Sequence, residues 1–258
     1  MKRYLKYVVF ILFSIFSFYW TEKTAVLVRS KDPIMQSIRK YSLDNNYDAV
    51  DAKIENDYIV PGMYGKRVNE VKSLMNMKSS GVFNSLFLDF DMIKPKVSLE
   101  DNKDKIIIKG NEKKQAISLI LEDDESELIT YIISNKIPAS LLVNKNSVNT
   151  NPYFEQINND MENYSDVEKI LSKGGINTNI CVLGRGNKDL CLKNKKYLIK
   201  PGLVFSKSNM VTIKNNINSG DIILVKSNVS IDDMTYFINY VKGKGLKIVL
   251  LSELIKEN

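Results

Sequence analysis

The 258-residue sequence contains no histidine. Acid/base chemistry at neutral pH, serine triads and most hydrolytic zinc sites depend on imidazole, so any mechanism here must work without it. Cysteine is nearly absent too. Cys181 and Cys191 stand alone, and two thiols without histidine make a poor zinc site. No nucleic-acid motif with interleaved aromatics is present, so nucleic acid is not an expected partner. What remains is ordinary for a folded protein: 44% of the residues are apolar and 26% charged, a balance that argues against wholesale disorder.

The chain opens MKRYLKYVVFILFSIFSFYWTEK, with Lys2, Arg3 and Lys6 ahead of an uncharged run over 7–21. Cations before an apolar segment hold the N-terminus in the cytoplasm and send the remainder outward. Fifteen helical residues cover roughly 22 Å, short of a ~30 Å hydrocarbon core, but Lys6 and Lys23 can snorkel and Phe18, Tyr19 and Trp20 suit the outer interface. That length equally fits a signal-peptide core. Bulky aromatics at its end and the lack of an A-x-A-like site favour an uncleaved, single-pass anchor over a cleaved signal. The expectation is therefore a cell-membrane protein with its bulk outside, the alternative being secretion. Outside the membrane, Cys181 and Cys191, which bracket CVLGRGNKDLC, are expected to form a disulfide, with free thiols as the alternative.

The net charge of +7 is concentrated. Between Arg185 and Lys214 there are eight cations (Arg185, Lys188, Lys193, Lys195, Lys196, Lys200, Lys207, Lys214) and one acid, Asp189. Such a stretch is either a solvated lysine-rich face or a patch for an anionic polymer.

Along the chain, Asp32-Pro33 predicts a helix start over PIMQSIRKYSL, and a second helix, EVKSLMNMKSSG, is expected to stop at Gly81. From residue 105 strands and helices alternate. Strands are expected at 106–109, 116–121, 139–143, 180–183, 203–205, 221–226 and 247–251. Helices are expected at 126–135, at 153–172 with a break near Tyr164-Ser165, and at 231–241 with Ser230 as N-cap; Ser252 is expected to cap a last short one. Near-continuous apolar runs such as AISLIL, ASLLV, DIILV and KIVLL fit strands covered on both faces of a mainly parallel sheet. Three segments follow: 1–23 as cytoplasmic tip and anchor, 24–104 as a small irregular appendage, and 105–258 as an α/β barrel or open sheet.

The order KKQAISLIL, helix, KIPASLLVN and then GDIILVKSN…FINYVKGKGLKIVLLSELI resembles the polysaccharide deacetylases of the nodulation-factor type, carbohydrate esterase family four. The family's strand reading roughly GsIILLH, followed by a helix, kGy, a strand and LsEL, is matched in outline from Gly220 to Leu254, and Ala139–Val143 stands where the family has ATFFV. The resemblance covers about residues 105–257. More weakly, IVPGMYGKRVNEVKSLMNMKSSGVFN resembles the leader of divergent exported members. It implies a distorted (β/α) barrel, a divalent metal held by one Asp and two His, an Asp base acting on metal-bound water, and a His acid near the C-terminus.

Those groups are missing from this sequence. Aligning Ala116–Leu119 with the start of the family's first motif places Ile120 and Leu121 at its two aspartates, and the acids from Glu122 to Glu127 then begin the next helix. Sliding the frame by three puts Asp123 and Asp124 there instead. The histidine pair falls on GGINTNI, and the third motif on Ile180–Gly184, where the match is poor. The C-terminal histidine aligns with Lys226, a proton donor only if desolvated and otherwise solvated or ion-paired. The resemblance thus implies a catalytically inactive domain without metal or other cofactor, binding cell-wall glycan or an anionic wall polymer. The alternatives are an active hydrolase built on Asp123, Asp124 and an acid such as Asp160 or Glu162, or a structural partner of other proteins.

Overall fold

The computed structural model describes residues 2–122, 127–148, 154–176, 178–184 and 187–258. In chain order the elements are α1 (Lys2–Lys31), α2 (Pro33–Asn45), β1 (Lys53–Glu55), β2 (Tyr58–Val60), β3 (Gly65–Val68), α3 (Glu70–Met77), β4 (Phe90–Ile93), β5 (Ile106–Ile107), β6 (Ala116–Leu121), α4 (Glu127–Ser134), β7 (Ser140–Val143), β8 (Glu155–Asn158), α5 (Tyr164–Lys173), β9 (Ile180–Val182), α6 (Lys188–Lys193), β10 (Tyr197–Ile199), β11 (Leu203–Phe205), α7 (Met210–Asn216), β12 (Ile222–Val225), α8 (Ile231–Gly243), β13 (Lys247–Val249) and α9 (Leu251–Ile255).

The chain divides into two compact units, Met1–Ala49 with Gly65–Ile93, and Val50–Tyr64 with Lys94–Asn258. This division differs from the expected boundary at residue 104. Residues 53–60 form an antiparallel hairpin, and its second strand β2 pairs with β5. The edge of β5 needs a partner, and the segment expected to belong to an appendage supplies it.

In the first unit, α1 runs past the expected anchor boundary at residue 23. Over Phe10–Lys31 it is long and apolar enough to cross a membrane, and none of that stretch is buried, which suits an anchor and a signal sequence alike. The Asp32 carboxylate caps α2 by accepting from the Ile34 amide, with Pro33 in the first turn, as the dipeptide predicts. Ile38, Val68 and Met77 are its buried centre, with Tyr41, Leu74 and Phe90 packed around them. The unit is built from capped helices and the antiparallel pair β3–β4, whose connection carries α3.

The second unit is a flattened barrel of two sheets. One has the order β1-β2-β5-β10-β9, and the other β11-β12-β6-β7-β8 with β13 also on β6. Apart from the β1–β2 hairpin, every pairing in these sheets is parallel. Ile59, Ile107, Ile180 and Ile199 from the first sheet meet Ile120, Leu142, Ile157 and Ile222 from the second in one core. On the other face of the second sheet, Ile117, Leu119 and Leu121 pack with Leu128, Val167, Ile213, Met234 and Phe237 from α4, α5, α7 and α8. The Phe205 and Phe237 rings stack there at 4.8 Å between centroids. Gly220 closes a seam between the sheets. Its φ is +89°, a side chain there would run into the Gly110 backbone, and its carbonyl accepts from the Gly110 amide at 2.7 Å. Only glycine meets both conditions.

The expected helix at 153–172 is corrected: 155–158 is strand β8, and the helix starts at Tyr164. The sequence Glu-Gln-Ile-Asn has no apolar alternation, yet all four residues are buried. Side-chain bonds make this tolerable. Glu155 Oε2 accepts from Ser140 Oγ at 2.6 Å and from the Ser252 amide at 3.2 Å. Asn158 Nδ2 donates to Tyr164 O and to Glu168 Oε1.

Cys181 on β9 and Cys191 on α6 are bonded to each other, with 5.9 Å between their Cα atoms. The segment between them carries the short helix α6. Both sulfurs are buried with Leu198. Closing a loop of this size is worth about 3 kcal/mol in the chain-entropy model. Intact mass measured without and with reductant should differ by two hydrogens, and Cys191→Ser should lower urea stability by ~2–4 kcal/mol. Two alkylatable thiols in the unreduced protein would contradict the bond.

Candidate functional site

Strand β6 determines which side chains reach the strand ends. Its register pairs Ile120 with Leu224 and Leu121 with Val225, and the Glu122 amide then donates to Val225 O at 3.1 Å. Successive side chains alternate between faces. Ile120 points into the barrel core and Leu121 into the layer under the helices, both essentially inaccessible. Two positions expected to line the site together therefore separate, and Leu121 takes no part in it. The next inward position is Glu122. The acids from Glu122 to Glu127 are expected to begin the following helix; Glu122 itself lies in a bend after β6, and 123–126 lie outside the described residues.

Lys226 follows the end of β12, anchored by its amide to Phe205 O at 2.9 Å. Its ammonium lies 2.6 Å from Glu122 Oε1, and both side chains are a little over one-third exposed. Lys226 is therefore ion-paired. Asp123 and Asp124 lie outside the described residues.

Asp160, weighed as an alternative acid, has a structural task. Oδ1 accepts from the Asn163 amide at 2.8 Å, and Oδ2 from the Lys145 amide at 3.0 Å. These two bonds hold its carboxyl below the usual carboxylate range, which suits an anchor for the turn after β7 and not a proton donor. Glu162 is exposed beside it.

The basic stretch is not one free surface. Lys196 is buried, pairs with Glu168 at 2.8 Å and donates to Thr178 O. Lys214 lies over the rings of Tyr236 and Tyr240 at 4.4 and 4.8 Å and bonds the Tyr236 hydroxyl. Lys200 lies 5.6 Å from the Tyr58 ring. Lys188, Lys193, Lys195 and Lys207 remain as exposed cations, and Arg185 lies outside the described residues.

The described residues at the strand ends do not fit a divalent metal of the kind the family resemblance implies. The carboxylate of Glu122 already holds an ammonium, and no imidazole exists to add to it. Among the described residues no group of three His, Cys, Asp or Glu side chains converges.

No family model matches the chain. An uncharacterized protein of Bacillus subtilis (strain 168), YlxY, is 23% identical over 163 residues, which are 58% of this chain and 51% of YlxY. The chain thus spans about half the length of the curated relative it matches. Among solved structures it is similar to wild-type BA3943, a family-four carbohydrate esterase pseudoenzyme from Bacillus anthracis. The TM-score is 0.62 at 16% identity, covering 88% of this chain and 96% of that one. A BA3943 mutant with restored enzymatic activity matches with the same TM-score at 17% identity, covering 87% and 98%. The chain has the fold of the family-four polysaccharide deacetylases.

The Glu122–Lys226 pair is exposed enough for water to screen it. In a double-mutant cycle with Glu122→Gln and Lys226→Met, urea melts should give a coupling of about 0.2–1 kcal/mol. A coupling above about 3 kcal/mol would mean a desolvated pair and a closed mouth.

Proposed function

We propose that this is a deacetylase-like domain without deacetylase activity, held outside the membrane by α1, which binds cell-wall glycan at the ends of the barrel strands. The observation that carries the proposal is the Glu122–Lys226 ion pair. A metal-dependent amide hydrolase needs an electrophilic cation with an open coordination position and a base for its water. Here the cation at the strand ends is an ammonium fixed to the chain. It neutralises the carboxylate without offering a coordination site. Glycan affinity needs polar groups that can reach a sugar, and the partly exposed Glu122 and Lys226 side chains are such groups. The BA3943 similarity supports the same view, since that protein is described as a pseudoenzyme.

The purified chain should take up no stoichiometric zinc and release no acetate from N-acetylglucosamine polymers with added Zn²⁺, Co²⁺ or Mg²⁺, while sedimenting with peptidoglycan. Lys226→His should restore neither metal nor turnover, because further ligands and the base are still missing. Metal-dependent turnover abolished by Asp123→Asn or Asp124→Asn would replace this proposal with an active, carboxylate-based site. Failure to sediment with any wall polymer would leave the structural-partner role instead.

For the anchor, protease added to intact spheroplasts should digest residues 24–258. Full protection would overturn the outward topology, and release into the medium would favour a cleaved signal.

A further inference from the structure

A concave site lies at the starts of strands, away from the Glu122–Lys226 pair. It is a cavity of about 460 Å³ formed where β8, β9 and β10 begin, with the chain after α9 along its wall. All of its lining belongs to the barrel unit. The volume falls within the range of small-molecule sites, roughly 300–1,000 Å³. We propose that this cavity binds a small hydroxylated organic ammonium, a cation of about monosaccharide size.

The cation preference rests on charge. Among the described lining residues Glu100, Glu155 and Glu257 stand against one cation, Lys256, while Lys94 and Lys103 lie outside the lining, beside Glu100 and Tyr197. Glu155 and Glu257 are buried side chains that the fold holds in place. Glu257 takes the Gly62 amide on Oε1 at 2.7 Å and the Leu99 amide on Oε2 at 3.0 Å. Glu155 takes both of its bonds on Oε2. Glu100 is exposed, with Lys94 at 3.8 Å as its ion partner. The local potential shows in a neighbouring group. Burial first, and then the negative charges of Glu100 and Glu257, push the Tyr197 hydroxyl above its ordinary value.

The hydroxyl preference rests on two rings. Tyr64 and Tyr197 both line the cavity, and neither phenol has a hydrogen-bond partner among the described residues. A partly buried phenol normally finds a partner. Here two are left to donate to, or accept from, a ligand hydroxyl. Aromatic faces also favour ammonium ions, and Lys103 Nζ already stands 5.7 Å from the Tyr197 ring centre.

D-Glucosamine and D-glucose share a ring and differ by one ammonium, so they separate charge from shape. Putrescine carries the charge without the hydroxyls. Isothermal titration of the full chain in detergent micelles at pH 7 should show one glucosamine bound with Kd below about 1 mM. Glucose should bind at least tenfold more weakly, and putrescine should also be weaker than glucosamine. Glu155→Gln keeps an acceptor for Ser140 and Ser252 and should weaken glucosamine at least fivefold. Glu100→Gln, an exposed change that leaves the core untouched, should act in the same direction, so the test survives if the Glu155 variant fails to fold. Tyr197→Phe should weaken glucosamine and leave putrescine unchanged. No saturable glucosamine binding, equal binding of glucose, or binding indifferent to both glutamate changes would overturn the proposal. Putrescine binding as tightly as glucosamine would overturn the hydroxyl part. The proposal is independent of the glycan-binding proposal, whose test is sedimentation with polymer.

Discussion

The barrel depends on the burial of β6 on both faces. Ala116, Ser118 and Ile120 face the inner core, while Ile117, Leu119 and Leu121 face the helices, and no residue of the strand is exposed. Three strands take their register from it: β12 along one edge, and β13 and β7 in succession along the other. A slip of one residue would exchange every side chain between the faces. It would carry Glu122 under the helices and Leu121 to the strand ends. The side chain that meets Lys226 is thus decided six residues earlier, by which apolar residue fits against Phe237 and which against Ile222. The strand also carries a cost at its centre. Ser118 Oγ is buried with no hydrogen-bond partner among the described residues, a penalty of about 1–3 kcal/mol that the surrounding apolar contacts must outweigh.

What was legible in the sequence was the part governed by apolar runs and caps. AISLIL, SLLV and IILV are strands as expected, and Asp32 and Ser230 cap helices as their positions suggest. Strand β8 was not legible, because its burial depends on partners distant in sequence: Ser140 for Glu155, and Glu168 for Asn158. A polar tetrapeptide carries no periodic signal, so only the tertiary partners mark it as interior. The hairpin at 53–60 was missed for a related reason. It is short, and its assignment to the barrel comes from pairing with β5, nearly fifty residues later. Glu257 clamps the same region from near the other end of the sequence, through the amides of Gly62 and Leu99. No local pattern announces a carboxylate that bridges two loops.

The candidate site was half legible. Matching motif letters placed an apolar pair, Ile120 and Leu121, where the family resemblance implies acids. In this chain the strand's alternation sends Ile120 into the barrel core and Leu121 under the helices. Counting every second residue from Ser118 reaches Glu122, and that count was available in the sequence. The partner choice of Lys226 was not, since it depends on the offset between β6 and β12. The basic stretch shows a similar limit. Eight cations in thirty residues suggest a patch, but Lys196 is drawn inside by Glu168 and Lys214 is taken up by two tyrosine rings. Formal charge per segment overstates the charge available to a partner.

A chain-borne ammonium and a bound divalent metal solve the same electrostatic problem differently. A carboxylate at the end of a parallel strand is partly desolvated and needs positive charge nearby. A metal supplies that charge together with open coordination positions, and through them the capacity to acidify water. Lysine supplies the charge alone. Its flexible stem allows it to reach Glu122 from β12 at 2.6 Å, and its three donors can serve a ligand's oxygens as well as the carboxylate. The exchange is self-consistent in a chain without histidine. Both side chains are over one-third exposed, so water helps to solvate the acid and the pair itself contributes little stability. The packing around β6 is made of apolar contacts and does not draw on the charges at the strand ends.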